Sequence, residues 1–128
     1  MSLAVRGIDH VEVFVRDIQA AARWYREVLG LVERYRWDPE PLMIGAGDTM
    51  LALFQARPDA APARSGEGGS SLRWHRVAWR IDEAGFKAAQ KHLARLGIPF
   101  RGPVDHRHSR SIYFHDPDRH PLEITYYP

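Results

Sequence analysis

The segment Ile8–Asp17, with the sequence IDHVEVFVRD, decides the fold because its pattern returns later in the chain. Its alternation of β-branched and polar residues predicts a strand. The two faces of that strand carry Val11, Val13 and Val15 on one side and His10, Glu12 and Phe14 on the other. Asp17 then occupies the position of a helix N-cap, and helical spacing of apolar residues follows it.

The second copy of the pattern begins at Leu72 and reaches its own capping residue at Asp82. His10 precedes its capping aspartate by seven residues, and His75 precedes Asp82 by the same number. Each copy continues into a helix and then into three strand-like segments, so the chain contains an internal repeat.

The repeat predicts an α+β fold made of two βαβββ modules. We place the modules at residues 5–56 and 72–127 and a flexible linker, rich in Pro, Gly and Ser, at residues 57–71. Together they form one domain, residues 1–128, in which a curved mixed sheet makes a cup with the helices on its outer face.

Composition narrows the chemistry. The chain has 128 residues, 45% of them hydrophobic, and no Cys, which excludes a disulfide scaffold, a cysteine-based zinc site and a thiol nucleophile. The 18 basic residues are interspersed with 16 acidic ones, so we expect no nucleic-acid partner. No apolar run is long enough to span a bilayer, so we expect no membrane partner and a cytoplasmic location.

Two histidines at matching positions of a repeat suggest a metal site. If the first strands of the modules pair, His10 and His75 approach each other, and Glu123 faces the same concave side as a carboxylate. Two imidazoles and a carboxylate suit Fe(II) with open positions for dioxygen, or Mn, Zn or Ni acting as a Lewis acid.

Strand alternation also assigns residues to the wall of the cup. The predicted substrate-binding residues are Glu12, Phe14, Trp79 and Thr125. Tyr113 and His108 are the predicted catalytic residues, with His106 as a further candidate for proton transfer. Because Phe14, Trp79 and Tyr113 are aromatic, this wall favours a planar ligand.

Three motifs carry a resemblance to a known family. They are Ile8–Asp17, Trp24–Leu31 and the late segment Tyr113–Glu123, with the sequence YFHDPDRHPLE. With these motifs the chain resembles the vicinal oxygen chelate superfamily, which includes glyoxalase I, extradiol dioxygenases, and fosfomycin- and bleomycin-resistance proteins. The resemblance implies paired βαβββ modules, a metal in the cup and a homodimer.

Carried over by position, the resemblance implies metal ligands at His10, His75 and Glu123. The remaining ligand of glyoxalase I falls on Ala52, which cannot coordinate a metal. This departure argues against a four-ligand glyoxalase I mechanism and leaves the ligand set that extradiol dioxygenases share with fosfomycin-modifying enzymes.

The sequence therefore supports several functions. Our first hypothesis is a divalent-metal-dependent enzyme whose small substrate chelates through vicinal oxygens, with extradiol ring cleavage placed ahead of the alternatives. Those alternatives are a glyoxalase-like lyase or isomerase and a fosfomycin-type transferase, although Glu12 stands where the latter has a hydroxyl residue and the chain stops at Pro128. A hypothesis of another class is a metal-free drug-binding protein of the bleomycin-resistance type.

Overall fold

A computed structural model describes residues 3–63, 72 and 74–128. The fold is α+β and contains the two predicted βαβββ modules, each with its own four-stranded mixed sheet. The chain divides into two compact units, residues 1–60 and 61–128, and each is described here by itself.

The first unit follows the predicted order of elements. These are β1 (His10–Val15), α1 (Ile18–Leu29), β2 (Val32–Arg36), β3 (Leu42–Ala46) and β4 (Thr49–Gln55). The sheet order is β1-β4-β3-β2, with β1 parallel to β4 and the other pairs antiparallel. The helix crosses between parallel strands, as a βαβ connection requires.

The second unit repeats this arrangement. Its elements are β5 (Val77–Arg80), α2 (Glu83–Arg95), β6 (Arg101–Asp105), β7 (Arg110–His115) and β8 (Pro121–Tyr126). The order β5-β8-β7-β6, with β5 parallel to β8, matches the order in the first unit strand for strand.

Both helices begin at the aspartates that the sequence indicates. The Asp17 carboxylate accepts the backbone N–H of Ala20 at 3.0 Å, and the Asp82 carboxylate accepts that of Gly85 at 2.7 Å. Each bond satisfies one of the N–H groups that a helix start leaves without a partner. At the other end of α1, Gly30 has φ +71°, the left-handed conformation that closes many helices.

One strand is shorter than expected. The sequence predicts a strand from Leu72 to Ile81, whereas β5 begins only at Val77 and ends at Arg80. His75 therefore precedes the strand, in contrast to His10, which is the first residue of β1. Of the predicted linker, residues 64–71 lie outside the described residues.

The helix side of the second sheet forms a hydrophobic core. Leu93 of α2 is fully buried, and Phe86 of the same helix packs against Tyr126, with ring centroids 4.8 Å apart. Leu122 and Ile124 alternate with Glu123 on β8 and are buried on the face of Tyr126. None of the helices in the described part of the chain has the length and apolar character to cross a membrane.

This packing can be tested by comparing Leu93 of α2 with Leu96, the C-cap residue of the same helix. We expect Leu93→Ala to lower the free energy of unfolding by about 2–5 kcal/mol, because it removes a fully buried side chain and leaves a cavity. The matched substitution Leu96→Ala, at a residue 43% exposed, should cost less than about 1 kcal/mol. Urea unfolding followed by circular dichroism measures both, and equal losses would contradict the packing described.

Candidate functional site

The pairing of β5 with β8 decides which side chains share a face in the second unit. Ala78 pairs with Glu123, and Trp79 pairs with Ile124. Paired residues point to the same side of a sheet, and neighbours along a strand point to opposite sides. Ala78 therefore lies on the face of Glu123, opposite the helix, and Trp79 lies on the helix side.

The face opposite α2, which we call the polar face, carries Ser111, Tyr113, Glu123 and Thr125. Tyr113 lies at its centre. It pairs with Glu123 between β7 and β8, so the two side chains lie next to each other. The guanidinium carbons of Arg76 and Arg101 each lie 4.4 Å from the centroid of the Tyr113 ring. The Tyr113 hydroxyl is hydrogen bonded to Nε2 of His106. One aromatic ring thus has two cation–π contacts and one hydrogen bond to an imidazole.

Hydroxyl groups hold the Glu123 carboxylate in place. Ser111, which is fully buried, donates its hydroxyl to Glu123 Oε2 at 2.6 Å. Thr125 lies 3.0 Å from the Ser111 hydroxyl and donates to the backbone carbonyl of Arg110 at 3.2 Å. Thr125 is 8% exposed, so its hydroxyl supports the residues around Glu123, and its predicted contact with substrate stays a prediction.

His75 and Arg76 both precede β5, and it is Arg76 whose side chain reaches the face of Glu123. His75 is exposed and precedes the strand, with its Nε2 3.4 Å from a terminal nitrogen of Arg76. Arg76 stands two residues before Ala78, and its contact with Tyr113 places its guanidinium on the face of Glu123. At this face the structure has an arginine where we expected an imidazole.

Trp79 corrects the expectation of an aromatic wall. Because it pairs with Ile124, it lies on the helix side, and its indole Nε1 is buried without a hydrogen-bond partner among the described residues. Trp79 and Tyr113 are therefore on opposite faces of one sheet. Trp79 therefore does not lie beside Tyr113 on the wall where we expected an aromatic surface for a planar ligand.

The first unit places its predicted residues on one face of β1. His10, Glu12 and Phe14 alternate with the valines, and their partners on β4 are Met50, Ala52 and Phe54. The side chains of Glu12 and Phe14 are largely exposed. The first unit therefore presents an imidazole and a carboxylate next to each other on one face of β1.

Carboxylates engage both ring nitrogens of His10. Nδ1 lies 2.8 Å from Asp9 Oδ2, and Nε2 lies 3.1 Å from Glu12 Oε2. These hydrogen bonds, with Asp9 contributing most, raise the pKa of His10 above its ordinary value because they favour the protonated ring. Glu12 thus touches His10 directly, although their backbone positions are two residues apart.

His115 reports on the charge of the polar face. It follows Tyr113 by two residues on β7 and so shares its side of the sheet. Burial lowers the pKa of His115, and the positive charges of Arg119 and Arg76 lower it further. Burial and the two nearby guanidinium groups therefore both disfavour a positive charge on this ring.

Sequence reasoning missed Arg76 and Arg101, and it chose His108 where His106 is the histidine that contacts Tyr113. A signal for Arg76 was present. Val77, Trp79 and Ile81 alternate as Val11, Val13 and Val15 do, and the residue just before the first apolar position is His10 in one module and Arg76 in the other. Counting back from the helix cap instead led to His75.

The resemblance implies a divalent metal ion, but the residues of the second unit do not fit one. Arg76, on the face of Glu123, keeps its positive charge and has no lone pair to donate to a metal. Within the described ranges, no three His, Asp or Glu side chains lie close enough together to hold an ion. His10 belongs to the first unit and His75 and Glu123 to the second, so their convergence stays a prediction.

The first unit also has a cavity that the sequence did not indicate. It lies at the start of α1 and is lined by residues that include Asp17, Trp37, Glu40 and Gln55. Glu40 accepts the backbone N–H of Gln55 there at 2.7 Å. None of the predicted site residues lines this cavity.

Two βαβββ modules, each with one helix and a four-stranded mixed sheet, form the architecture of the superfamily that the sequence resembles. The chain matches the Glyoxalase/Bleomycin resistance protein/Dioxygenase superfamily over residues 7–124, and it belongs to that family. This confirms the resemblance on which the sequence analysis relies.

The chain is also similar to individual proteins. The chain is 27% identical to the fosfomycin resistance protein FosX of Mesorhizobium japonicum, over 94% of this chain and 85% of that protein. It is 25% identical to the glutathione transferase FosA of Serratia marcescens, over 94% and 80%. Among solved structures, a glyoxalase/dioxygenase from Nostoc punctiforme is similar, with a TM-score of 0.80 and 27% identity over 98% of this chain and 93% of that one.

The pKa of His115 tests the position of Arg76. We expect Arg76→Gln to raise this pKa, because the substitution removes a positive charge that opposes protonation of the ring. The pKa should still lie below its ordinary value, because burial remains the largest cause of its depression. NMR titration of the His115 ring measures the shift.

Arg95→Gln supplies the matched control for this titration. Arg95 is exposed in the last turn of α2, on the helix that packs against the other face of the sheet. The pKa of His115 should be unchanged in that variant. An unchanged pKa in Arg76→Gln as well would contradict the placement of the Arg76 guanidinium.

Proposed function

We propose that the protein binds a small anionic, oxygen-rich molecule of the fosfomycin class on the polar face of its second unit and converts it. The observation that carries this proposal is the pair of guanidinium groups, Arg76 and Arg101, that flank Tyr113 next to Glu123. Guanidinium groups bind phosphonate and carboxylate oxygens through paired N–H donors.

Charge favours this proposal over ring cleavage of a catechol, which the sequence analysis placed first. A catechol brings two hydroxyl groups and needs a metal to bind both, whereas a phosphonate brings the negative charge that two guanidinium groups can balance. The likeness to FosX and FosA supports the same alternative.

Each residue of the face has a distinct part in the proposed reaction. Arg76 and Arg101 hold the anionic oxygens and fix the orientation of the substrate. Tyr113, hydrogen bonded to His106, can give or take a proton at its hydroxyl. Glu123, held by Ser111, is the carboxylate available to a polar group of the substrate. Contacts of the substrate with Glu12 and Phe14 of the first unit, and a homodimeric state, stay predictions.

A second candidate function is sequestration of the same molecule without reaction. It is favoured by the guanidinium of Arg76 on the face of Glu123, because an anion held by arginines alone is bound without being activated by a metal. This corresponds to the metal-free resistance protein that the sequence analysis kept as its hypothesis of another class.

Incubation with fosfomycin tests the proposal and separates the two candidates. ³¹P NMR should show loss of the drug signal and growth of a product signal in the presence of water or of glutathione. Sequestration instead gives one bound equivalent by isothermal titration calorimetry and no product. If the protein neither converts nor binds fosfomycin, the proposed function is contradicted.

The Arg101→Gln variant locates the interaction. Loss of one charge-assisted hydrogen-bonding partner should weaken binding of fosfomycin about ten- to a hundredfold, equivalent to roughly 1.5–3 kcal/mol. Arg95→Gln, which makes the same change of charge on α2, should leave the affinity unaltered. Equal losses in the two variants would show only a long-range effect of net charge.

A further inference from the structure

The pairing of the first and last strands of each module shows which residues of the two modules correspond. Counting from the helix caps gives a different match. On β4, Ala52 pairs with Glu12, and on β8, Glu123 pairs with Ala78. Ala52 and Glu123 match within the repeat, because each lies between two buried aliphatic residues of the last strand of its module. The residue two positions before Glu12 is His10, and the residue two positions before Ala78 is Arg76.

The cap count and the strand register disagree because the turn between strand and helix differs in length. From Glu12 to the first residue of α1 there are six steps along the chain, and from Ala78 to the first residue of α2 there are five. The second module therefore reaches its cap one residue earlier. A count of seven back from Asp82 overshoots Arg76 and arrives at His75.

The guanidinium of Arg76 has N–H donors that are available to a ligand. Its Nε is buried and has no hydrogen-bond partner among the described residues, and a terminal nitrogen reaches only the exposed His75 at 3.4 Å. Among the residues that the structure describes, no carboxylate lies within ion-pair distance of Arg76 or Arg101. A buried donor without a partner is costly, and an anionic oxygen is the ligand that satisfies it.

We infer that Arg76 takes the place of the second histidine ligand, so that the protein binds its anionic substrate directly through Arg76 and Arg101, without a divalent metal ion. This inference rests on the proposed function for the class of ligand. It departs from the metal dependence that the resemblance implies, because the residue at the decisive position is a permanent cation.

Manganese binding tests the inference independently of any activity. In a titration followed by electron paramagnetic resonance, the native protein should leave added Mn²⁺ free in solution. Arg76→His returns an imidazole to the face of Glu123 and should bind Mn²⁺ at least roughly tenfold more tightly than the native protein. Stoichiometric binding of Mn²⁺ by the native protein would overturn the inference.

Three further variants keep this test sharp. His75→Ala should leave Mn²⁺ free, as in the native protein, and Arg76→His combined with His75→Ala should bind Mn²⁺ as Arg76→His does. Arg76→Lys keeps the charge and loses the planar fork, so Mn²⁺ should stay free while the anion binds more weakly. Loss of Mn²⁺ binding on removal of His75 from the Arg76→His variant would overturn the correspondence of Arg76 with His10.

Calorimetry with methylphosphonate completes the test. Its affinity should be the same in the presence of EDTA and of added Mn²⁺, and Arg76→Gln should reduce it about tenfold or more. Binding that appears only with Mn²⁺ would overturn the inference while leaving the proposed function intact. No binding of methylphosphonate or fosfomycin under either condition would overturn both.

Discussion

The parallel pairing of β5 with β8 is the constraint on which the account of this protein depends. Side chains alternate across a strand, so a shift of one residue exchanges every side chain of β5 between the helix side and the polar face. With Ala78 opposite Glu123, the arginine before Val77 reaches Tyr113 and the tryptophan after it packs on the side of Ile124. Val77 and Trp79 hold this register, because they pair with the buried Leu122 and Ile124 on the helix side, and slippage of β5 by one residue would move them to the polar face.

Periodicity and capping signals were enough to predict the architecture. The order of elements, the bounds of α1 and β4, and the capping roles of Asp17 and Asp82 follow from local chemistry that the sequence contains directly. The partners around Tyr113 could not be predicted in the same way, because strands distant in sequence bring Arg101, His106 and Arg76 to one ring. Matching His75 to His10 counts across a turn whose length differs between the modules, whereas the register of β5 with β8 matches Arg76 to His10.

Electrostatics connects this local geometry to function. A guanidinium and a divalent cation about 6 Å apart repel each other by roughly 5 kcal/mol at an effective dielectric constant of about 20. The same guanidinium attracts an anion, and the pKa of His115 is lowered first by burial and then by the positive charges of Arg119 and Arg76. The guanidinium of Arg76 therefore favours an anion over a divalent cation on the polar face.

A crystal structure grown with both Mn²⁺ and methylphosphonate tests the central claim most directly. The account predicts phosphonate oxygens within hydrogen-bond distance of the Arg76 and Arg101 guanidinium groups, and no manganese peak next to Glu123 in an anomalous difference map. A manganese ion bound to Glu123 and His75, with Arg76 turned away from Tyr113, would contradict it.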